Sequence, residues 1–340
     1  VPIVPDEART FGMDALFKVA GIYSPDGQRY TPVDAEALNT YREAIDGQIL
    51  QEGICEAGAI ASFIAAGTAY ATFAVPTIPF YIFYSMFGFQ RVGDMIWASA
   101  DMMARGFLLG GTAGRTTLNG EGLQHQDGHS PILASTVPSV RTYDCAFAWE
   151  LAILVRFGIQ QMFVEDHDEL FYLMMYNEAL HMPARPAHED LDEGVVRGGY
   201  MLEPATGDGP RVNLLGSGTI LFEVMQAAAT LRAEGYSVAV YSITSYVELA
   251  RDAERAEQAG TADAEPAWLD TIFPETNVPT VAVTDYVRAL PRMIASWITG
   301  PFTALGTDGF GMSERRSDLR AHFKVDAASI ADAARGLTAS

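Results

Sequence analysis

Cysteine is scarce in this sequence, whose 340 residues include only Cys55 and Cys145. The two lie ninety positions apart in apolar surroundings, which fits neither a disulfide framework nor a cluster with metal-ligand spacing. This scarcity favours a reducing, cytoplasmic location. The first residues also lack a basic segment followed by an apolar core, so we expect no secretory signal.

Basic side chains are also few: the chain has 22 lysines and arginines but 43 aspartates and glutamates, a formal net charge of -21. Such a charge repels phosphate backbones and anionic lipid headgroups, so we expect neither a nucleic-acid partner nor a membrane surface. Apolar residues make up 49% of the chain and charged residues only 19%, as in folded globular proteins. The length allows two domains of roughly 100–200 residues each.

Charge is missing altogether from residues 57–90. An uncharged run of this length raises the possibility of a transmembrane helix. However, Pro76 and Pro79 divide the run, and no basic clusters flank it. We therefore predict a buried helix followed by a buried strand.

Short apolar runs alternate with longer amphipathic segments, which is typical of open parallel sheets covered by helices on both faces. The predicted strands are 78–84, 170–176, 212–215, 237–241, 280–283 and 302–305. The predicted helices are 51–72, 91–105, 146–162, 219–233, 247–258, 286–297 and 327–334. The sequence therefore predicts an α/β fold with two open, mostly parallel sheets.

Prolines, acidic residues and Gly194 interrupt the apolar pattern between residues 183 and 197, and the alternation of strand and helix restarts after them. We therefore divide the chain into a first domain, residues 1–190, and a second domain, residues 191–340. An acidic, alanine-rich segment at 254–265 is expected to lie on the surface, and it is assigned no chemistry.

Residues 110–130 combine six glycines with polar and titratable side chains. Dense glycines let a backbone approach a ligand closely, so we favour a functional loop over a merely flexible surface loop. His125 and His129 have the i, i+4 spacing of metal ligands, but the surrounding glycines oppose a helix and no third strong ligand is near in sequence. We predict no metal site here. We expect instead a polar site for an anionic substrate, with Glu121 and His125 as hydrogen-bonding or proton-transfer groups.

Three further acidic residues are candidate site residues because of where they lie in the sequence. Glu56 is the last charged residue before the run 57–90, where a carboxylate needs a partner or takes up a proton. The alternative is an ordinary carboxylate at a helix N-terminus, favoured by the helix dipole. Asp6 and Glu7 follow the first apolar run, at the strand end where open α/β sheets bind ligands.

Three segments carry a resemblance to a known family: residues 80–91 (FYIFYSMFGFQR), 111–117 (GTAGRTT) and 119–125 (NGEGLQH). Together with residues 6–13 and 305–311, they resemble the homodimeric type of the decarboxylating component of the pyruvate dehydrogenase complex, which uses thiamine diphosphate. The resemblance runs over the whole chain. It implies a transketolase-like fold, with residues 1–190 as the pyrimidine-binding domain and residues 191–340 as the C-terminal domain.

The diphosphate-binding domain of that family, which carries a magnesium motif, has no counterpart in this sequence. Gly207-Asp208-Gly209 copies only the opening of the motif, because the asparagine that should follow is absent at the required distance. The resemblance implies thiamine diphosphate and Mg²⁺ as cofactors. It places the metal ligands outside this chain, in a missing part of the protein or in a separate subunit.

The resemblance also implies roles for individual residues at the cofactor. Glu56 is similar to the glutamate that hydrogen-bonds the aminopyrimidine ring, and Ile54 to the apolar residue that bends the cofactor. Phe87 is similar to the ring that stacks on the pyrimidine, and Tyr84 is expected to line the same pocket. Cys55 departs from the asparagine that the family pattern has at this position.

Glu121 and His125 resemble the pair that faces the substrate, and Asp6 and Glu7 resemble acidic residues of the same cleft. The implied reaction is the oxidative decarboxylation of pyruvate by a homodimer, with transfer of the acetyl group to a lipoyl group of the acyltransferase partner. The alternatives are a relative acting on 2-oxobutanoate, a transketolase-like transfer, and a non-catalytic dimerisation fragment.

Overall fold

The strands lie in two larger sheets and one small sheet. The computed structural model describes residues 1–5, 8, 11–33, 42–118, 122–187, 190–260 and 265–339. In chain order the strands are β1 (Pro2–Val4), β2 (Ile22–Tyr23), β3 (Glu43–Ala44), β4 (Leu50–Gln51), β5 (Phe80–Tyr84), β6 (Gly106–Gly111), β7 (Val140–Tyr143), β8 (Leu170–Met174), β9 (Tyr200–Glu203), β10 (Arg211–Gly216), β11 (Ser237–Ser242), β12 (Thr280–Val283) and β13 (Phe302–Leu305). The first sheet has the order β4-β1-β5-β6-β8-β7, the second has β13-β12-β10-β11-β9, and β2 pairs with β3.

Helices alternate with these strands along the chain. They are α1 (Phe17–Ala20), α2 (Glu56–Gly67), α3 (Ala69–Phe73), α4 (Gly88–Asp101), α5 (Ser130–Ser135), α6 (Ala148–Phe163), α7 (Leu191–Arg197), α8 (Ile220–Ala233), α9 (Tyr246–Ala259), α10 (Trp268–Ile272), α11 (Ala289–Arg292), α12 (Arg316–Phe323) and α13 (Ala327–Thr338). The alternation confirms the predicted α/β class.

The chain divides into two compact units. The first comprises Val1–Gly111, Val137–Val140 and Gly158–Tyr172. In it β1 pairs parallel with β4 and β5, and β5 pairs parallel with β6. Tyr81, Phe83 and Leu108 of the central strands are fully buried. Burial on both faces explains why these strands are continuous apolar runs without alternation.

The second unit comprises Thr112–Thr136, Arg141–Phe157 and Leu173–Ser340. Its sheet pairs β10 parallel with β11 and β12, and β12 parallel with β13, whereas β9 is antiparallel to β11. Apolar side chains of β10, β12, α8 and α13 form one buried core. These units do not coincide with the division between residues 190 and 191, which stays a prediction.

The predicted helix 51–72 is wrong as a continuous helix. Its first residue belongs to β4, and the Glu52 N–H donates to the carbonyl at the end of β1 at 3.0 Å. Gly53 then turns the chain with φ +74°, and α2 begins three residues later. At the other end, Thr68 separates α2 from α3. Sheet pairing therefore holds residues that the helical pattern predicts to be in a helix.

The predicted helix 286–297 is also wrong, because its first residues bond to another loop. The Arg288 N–H donates to the Asp308 carboxylate at 2.8 Å, and the Thr307 N–H donates to the Tyr286 carbonyl at 2.8 Å. These bonds hold the backbone outside the helical ladder. Helix α11 consequently begins later and has only four residues.

The uncharged run 57–90 forms α2, α3 and β5, and β5 is buried as predicted. The prediction of a buried helix holds for one face of α2 only. Ala59, Ile60 and Phe63 are fully buried, whereas the alanines at 57, 61 and 65 are exposed. Since small apolar residues occupy both faces, the sequence contains no periodicity that marks the exposed one. None of the described helices has the length and apolarity to cross a membrane.

Gly53 offers a test of backbone conformation alone, since an added Cβ atom would meet nothing within 4 Å. Because φ is +74°, Gly53→Ala should lower the free energy of unfolding by about 1 kcal/mol. Gly336→Ala is the matched control, because its added Cβ also meets nothing within 4 Å but lies inside α13. The control should instead raise the free energy of unfolding by about 0.5–1 kcal/mol. Denaturant titrations measure both, and effects of the same sign would contradict the assignment.

Candidate functional site

The start of α2 positions the first predicted cofactor residue. After the turn at Gly53, the Sγ atom of Cys55 accepts a hydrogen bond from the Gly58 N–H at 3.4 Å. The thiol therefore serves as the helix cap, with sulfur as a weak acceptor. Glu56 is the first residue of the helix, where the helix dipole favours a negative charge.

The Glu56 carboxylate has a charged partner. Arg91 of α4 donates from Nη1 to Oε1 of Glu56 at 2.6 Å, and the Glu56 side chain is only 12% exposed. The Arg91 guanidinium also lies 4.0 Å from the ring centroid of Phe87, a cation–π contact. The sequence leaves two outcomes open for this carboxylate, pairing with a charged partner or taking up a proton. The structure shows the charged partner. Sequence reasoning missed Arg91, although it is the first charged residue after the run 57–90.

Aromatic rings continue from Phe87 within the first unit. Tyr84 meets Phe87 edge-on with centroids 6.2 Å apart, and Phe11 meets Tyr84 at 5.2 Å. Ile54, two residues before Glu56, has 75% of its surface exposed. Three of the four predicted cofactor residues, Glu56, Tyr84 and Phe87, are thus linked through Arg91 and ring contacts. The arrangement combines a shielded carboxylate, aromatic faces and an exposed apolar side chain, as ligand sites do.

The polar loop is fixed by bonds within the second unit. The Gln126 side chain donates from Nε2 to the Met312 carbonyl at 2.6 Å and accepts the Met312 N–H at 2.7 Å. Arg115, which is buried, donates from Nη1 to the Thr307 carbonyl at 2.6 Å. These bonds tie Arg115 and Gln126 to residues 307–312. The described part of the loop is therefore held by the protein, unlike a freely flexible surface loop.

His125 ends a short 3-10 turn in this loop and is half-buried. The next acidic residue, Asp127, accepts the N–H groups of His129 and Ser130 through Oδ1, both at 3.0 Å. Asp127 therefore has a structural role at the start of α5. His125 is the one predicted substrate residue whose position the structure describes.

Three other candidates, Asp6, Glu7 and Glu121, lie outside the described residues. Across the described part of the chain, His, Cys, Asp and Glu side chains form no group of three or more that could hold a metal ion. The roles of all the candidate residues remain predictions from the resemblance.

Two buried aspartates of the second unit were not predicted as site residues. Asp285 lies two residues after β12 and accepts the Thr116 N–H at 3.0 Å and its hydroxyl at 2.7 Å. Asp144 directly follows β7 and accepts the hydroxyl of Tyr176, which lies 3.3 Å from the Tyr286 hydroxyl. Desolvation by burial raises the pKa of Asp144 to about 7 and that of Asp285 to about 6. Their positions just after strands are the signal that could have found them.

Comparison with known proteins identifies the family. The sequence profile of the pyruvate dehydrogenase E1 component middle domain matches residues 1–183, and that of the transketolase-like C-terminal domain matches residues 198–326. The chain belongs to the pyruvate dehydrogenase E1 component family. This finding confirms the resemblance seen in the sequence.

Two relatives in the family show how much of such a protein the chain represents. The chain is 52% identical over 337 residues to the pyruvate dehydrogenase E1 component of Corynebacterium glutamicum, covering 97% of this chain and 36% of that protein. It is 49% identical over 342 residues to the Escherichia coli K12 component, covering 99% and 38% respectively. The chain therefore spans less than two thirds of the length of these E1 relatives.

Solved structures confirm the fold of this E1-family chain. Transketolase from Campylobacter jejuni is similar with a TM-score of 0.67 and 16% identity, over 97% of this chain and 46% of that one. Transketolase from Leishmania mexicana is similar with a TM-score of 0.66 and 16% identity, over 98% and 45% respectively. At this identity the likeness establishes a transketolase-like fold.

The raised pKa of Asp144 predicts a pH-dependent stability. Between about pH 4 and about pH 7, the native chain keeps a proton on Asp144 that the unfolded chain releases. The free energy of unfolding therefore falls as pH rises through this range. Asparagine keeps the shape without a titrating proton. Relative to wild type, Asp144→Asn should therefore gain about 1.4 kcal/mol of unfolding free energy per pH unit across this window.

Denaturant titrations of both proteins at several pH values measure this difference. Asp208→Asn, on an exposed turn, removes the same charge away from the buried residues and is the control. A difference between Asp144→Asn and wild type that stays constant with pH would contradict the prediction.

Proposed function

We propose that this chain supplies the pyrimidine-binding part, residues 1–190, and the C-terminal part, residues 191–340, of a thiamine-diphosphate-dependent pyruvate dehydrogenase E1 component. The observation that carries the proposal is the arrangement at the start of α2, where Glu56 pairs with Arg91 and Arg91 lies on Phe87. Membership of the E1 family supports the same reaction: decarboxylation of pyruvate and transfer of the acetyl group to a lipoyl group.

The described residues fit the pyrimidine side of this cofactor. A carboxyl group that is 12% exposed can form a hydrogen bond with a ring nitrogen when one of the two carries the proton, and the Phe87 ring offers an aromatic surface for stacking. Ile54 presents an exposed apolar side chain of the kind that supports a bound ring. When bound, thiamine diphosphate supplies the nucleophilic carbon and the electron sink that decarboxylation of a 2-oxo acid requires.

Glu56 holds the central role in this proposal. The Arg91 guanidinium bonds Oε1 of Glu56, which leaves Oε2 for the aminopyrimidine nitrogen of the cofactor. Arg91 thus orients the carboxylate, and the Arg91 guanidinium in turn lies over the face of the Phe87 ring. Tyr84, in contact with Phe87, lines the same surface.

We assign the substrate side to His125 and Glu121, with Asp6 and Glu7 in the same cleft. A half-buried imidazole can donate a hydrogen bond to the carboxylate of an oxo acid or act as a proton-transfer group. The proposal also includes a homodimer, Mg²⁺ held by residues outside this chain, a lipoyl acyltransferase partner and a cytoplasmic location. A net charge of -21 favours a basic docking segment on that partner.

Substituting Glu56 tests this assignment. Glu56→Gln in the full-length protein keeps the shape of the side chain and removes its charge, so kcat for pyruvate-dependent lipoyl acetylation should fall by about 10²–10⁴-fold. Glu52→Gln, four residues earlier and accepting a bond from the Ser62 hydroxyl, is the matched control and should keep wild-type turnover. Circular dichroism checks that both variants fold.

Two results would reject parts of the proposal separately. Wild-type kcat in a folded Glu56→Gln protein would reject the role of Glu56. A wild-type protein that acetylates no lipoyl group from pyruvate would reject the reaction itself.

A further inference from the structure

The second unit contains a charged cleft of about 670 Å³ that the proposed function does not use. Arg141, Arg197 and Arg255 line it together with four carboxylates. Its size lies within the range of small-molecule sites. Part of its wall comes from Arg255, Ala256, Ala259 and Glu265, which belong to the acidic segment to which the sequence assigned no chemistry.

Glu248 anchors one half of the cleft. Its side chain is only 7% exposed and binds two guanidinium groups, Arg141 at 3.1 Å and Arg251 at 3.1 Å. Glu248 lies on α9, and its own N–H donates to the Ser245 cap at 2.9 Å. The first turn of α9 therefore fixes this carboxylate and, through it, both arginines.

Asp252 anchors the other half, one helical turn further along α9. Its side chain is 13% exposed and binds Arg197 at 3.1 Å and Arg255 at 3.3 Å. It also accepts the Trp268 N–H at 2.6 Å, and the Arg197 guanidinium lies 4.7 Å from the Trp268 ring centroid. Four guanidinium groups therefore hold two shielded carboxylates, and three of the four, those of Arg141, Arg197 and Arg255, line the cleft.

The remaining two carboxylates of the cleft lie at its rim. Glu193 and Glu265 bond Nη1 of Arg197 at 3.2 and 2.8 Å, and their side chains are 53% and 76% exposed. Ion pairs this exposed are weak, since water and salt screen them. An anion of higher charge can therefore displace these two side chains from the Arg197 donors at a small cost in free energy.

We propose that this cleft binds a small, multiply charged anion of the phosphoryl class, which displaces Glu193 and Glu265 from Arg197. The planar guanidinium group donates two parallel hydrogen bonds to phosphoryl oxygens, which makes arginine suited to such anions. The Trp268 ring and Asp252 hold Arg197 in place beforehand, so little side-chain entropy is lost on binding. The cleft contains none of the residues assigned to pyruvate chemistry, and the inference stands without that function.

Calorimetric titration of the full-length protein with inorganic diphosphate, in buffer without divalent cations, tests the inference. Arg255→Gln should weaken binding by roughly threefold or more, since it removes one cationic side chain from the cleft. Arg29→Gln is the matched control, because Arg255 and Arg29 are each 71% exposed and each pairs with an aspartate three residues earlier. The control should leave the diphosphate Kd unchanged, whereas the weaker binding by Arg255→Gln assigns the bound diphosphate to this cleft rather than to another site of the protein.

The rim carboxylates provide a test of opposite sign. Combining Glu193→Gln with Glu265→Gln should tighten diphosphate binding by roughly threefold, because Arg197 is released and repulsion falls. Glu275→Gln combined with Asp332→Asn removes the same charge from side chains 56% and 76% exposed elsewhere in the second unit, and should have a smaller effect. Tighter binding of ATP than of diphosphate would support a nucleotide as the source of the phosphoryl group.

Three results would overturn the inference. They are the absence of diphosphate binding by the wild type, an Arg255→Gln protein with the wild-type Kd, and weaker binding after removal of the rim carboxylates. The last result would indicate a cationic ligand instead.

Discussion

The ion pair between Glu56 and Arg91 joins the start of α2 to α4, and the candidate cofactor surface depends on it. Gly53 and Cys55 determine where α2 begins, and thereby the direction in which the carboxylate leaves the helix. A helix start displaced by one residue would rotate that direction by about 100° and separate the pair. Arg91 contacts Phe87 as well, so one guanidinium group orders both the charged and the aromatic part of the surface.

The shielded acidic side chains differ in the groups that lie against them, and this difference has chemical consequences. Glu56 and Glu248 each lie against arginine, which supplies the opposite charge. Asp144 instead lies against the Tyr176 hydroxyl, and burial raises its pKa to about 7. Paired acids therefore fix geometry, whereas Asp144 makes stability depend on pH.

Strands were predictable where burial on both faces makes them continuous apolar runs. The predicted strand 280–283 matches β12, whose four residues are all buried, and the predicted strand 302–305 matches β13, which lies at the edge of the same sheet. The helix predicted over 286–297 failed because Asp308 and Thr307 bond the backbone of its first residues. Local periodicity cannot reveal such a partner, since the competing groups lie some twenty residues away in sequence.

The sequence likewise predicts only part of the candidate site. The resemblance predicts Glu56, Tyr84 and Phe87 as cofactor residues, because these residue types stand where the family pattern has them. It did not reveal that Arg91 pairs with Glu56 across 35 residues, or that Asp144 and Tyr176 meet across 32. These pairs depend on how helices and strands pack, which spacing alone does not specify.

The most direct test of a pyrimidine-side half-site is a calorimetric titration with thiamine diphosphate and Mg²⁺. It compares this 340-residue chain by itself with the same chain supplied with a diphosphate-binding domain. The proposed site predicts binding only when that domain is present. Tight binding of thiamine diphosphate by the 340-residue chain alone would contradict it.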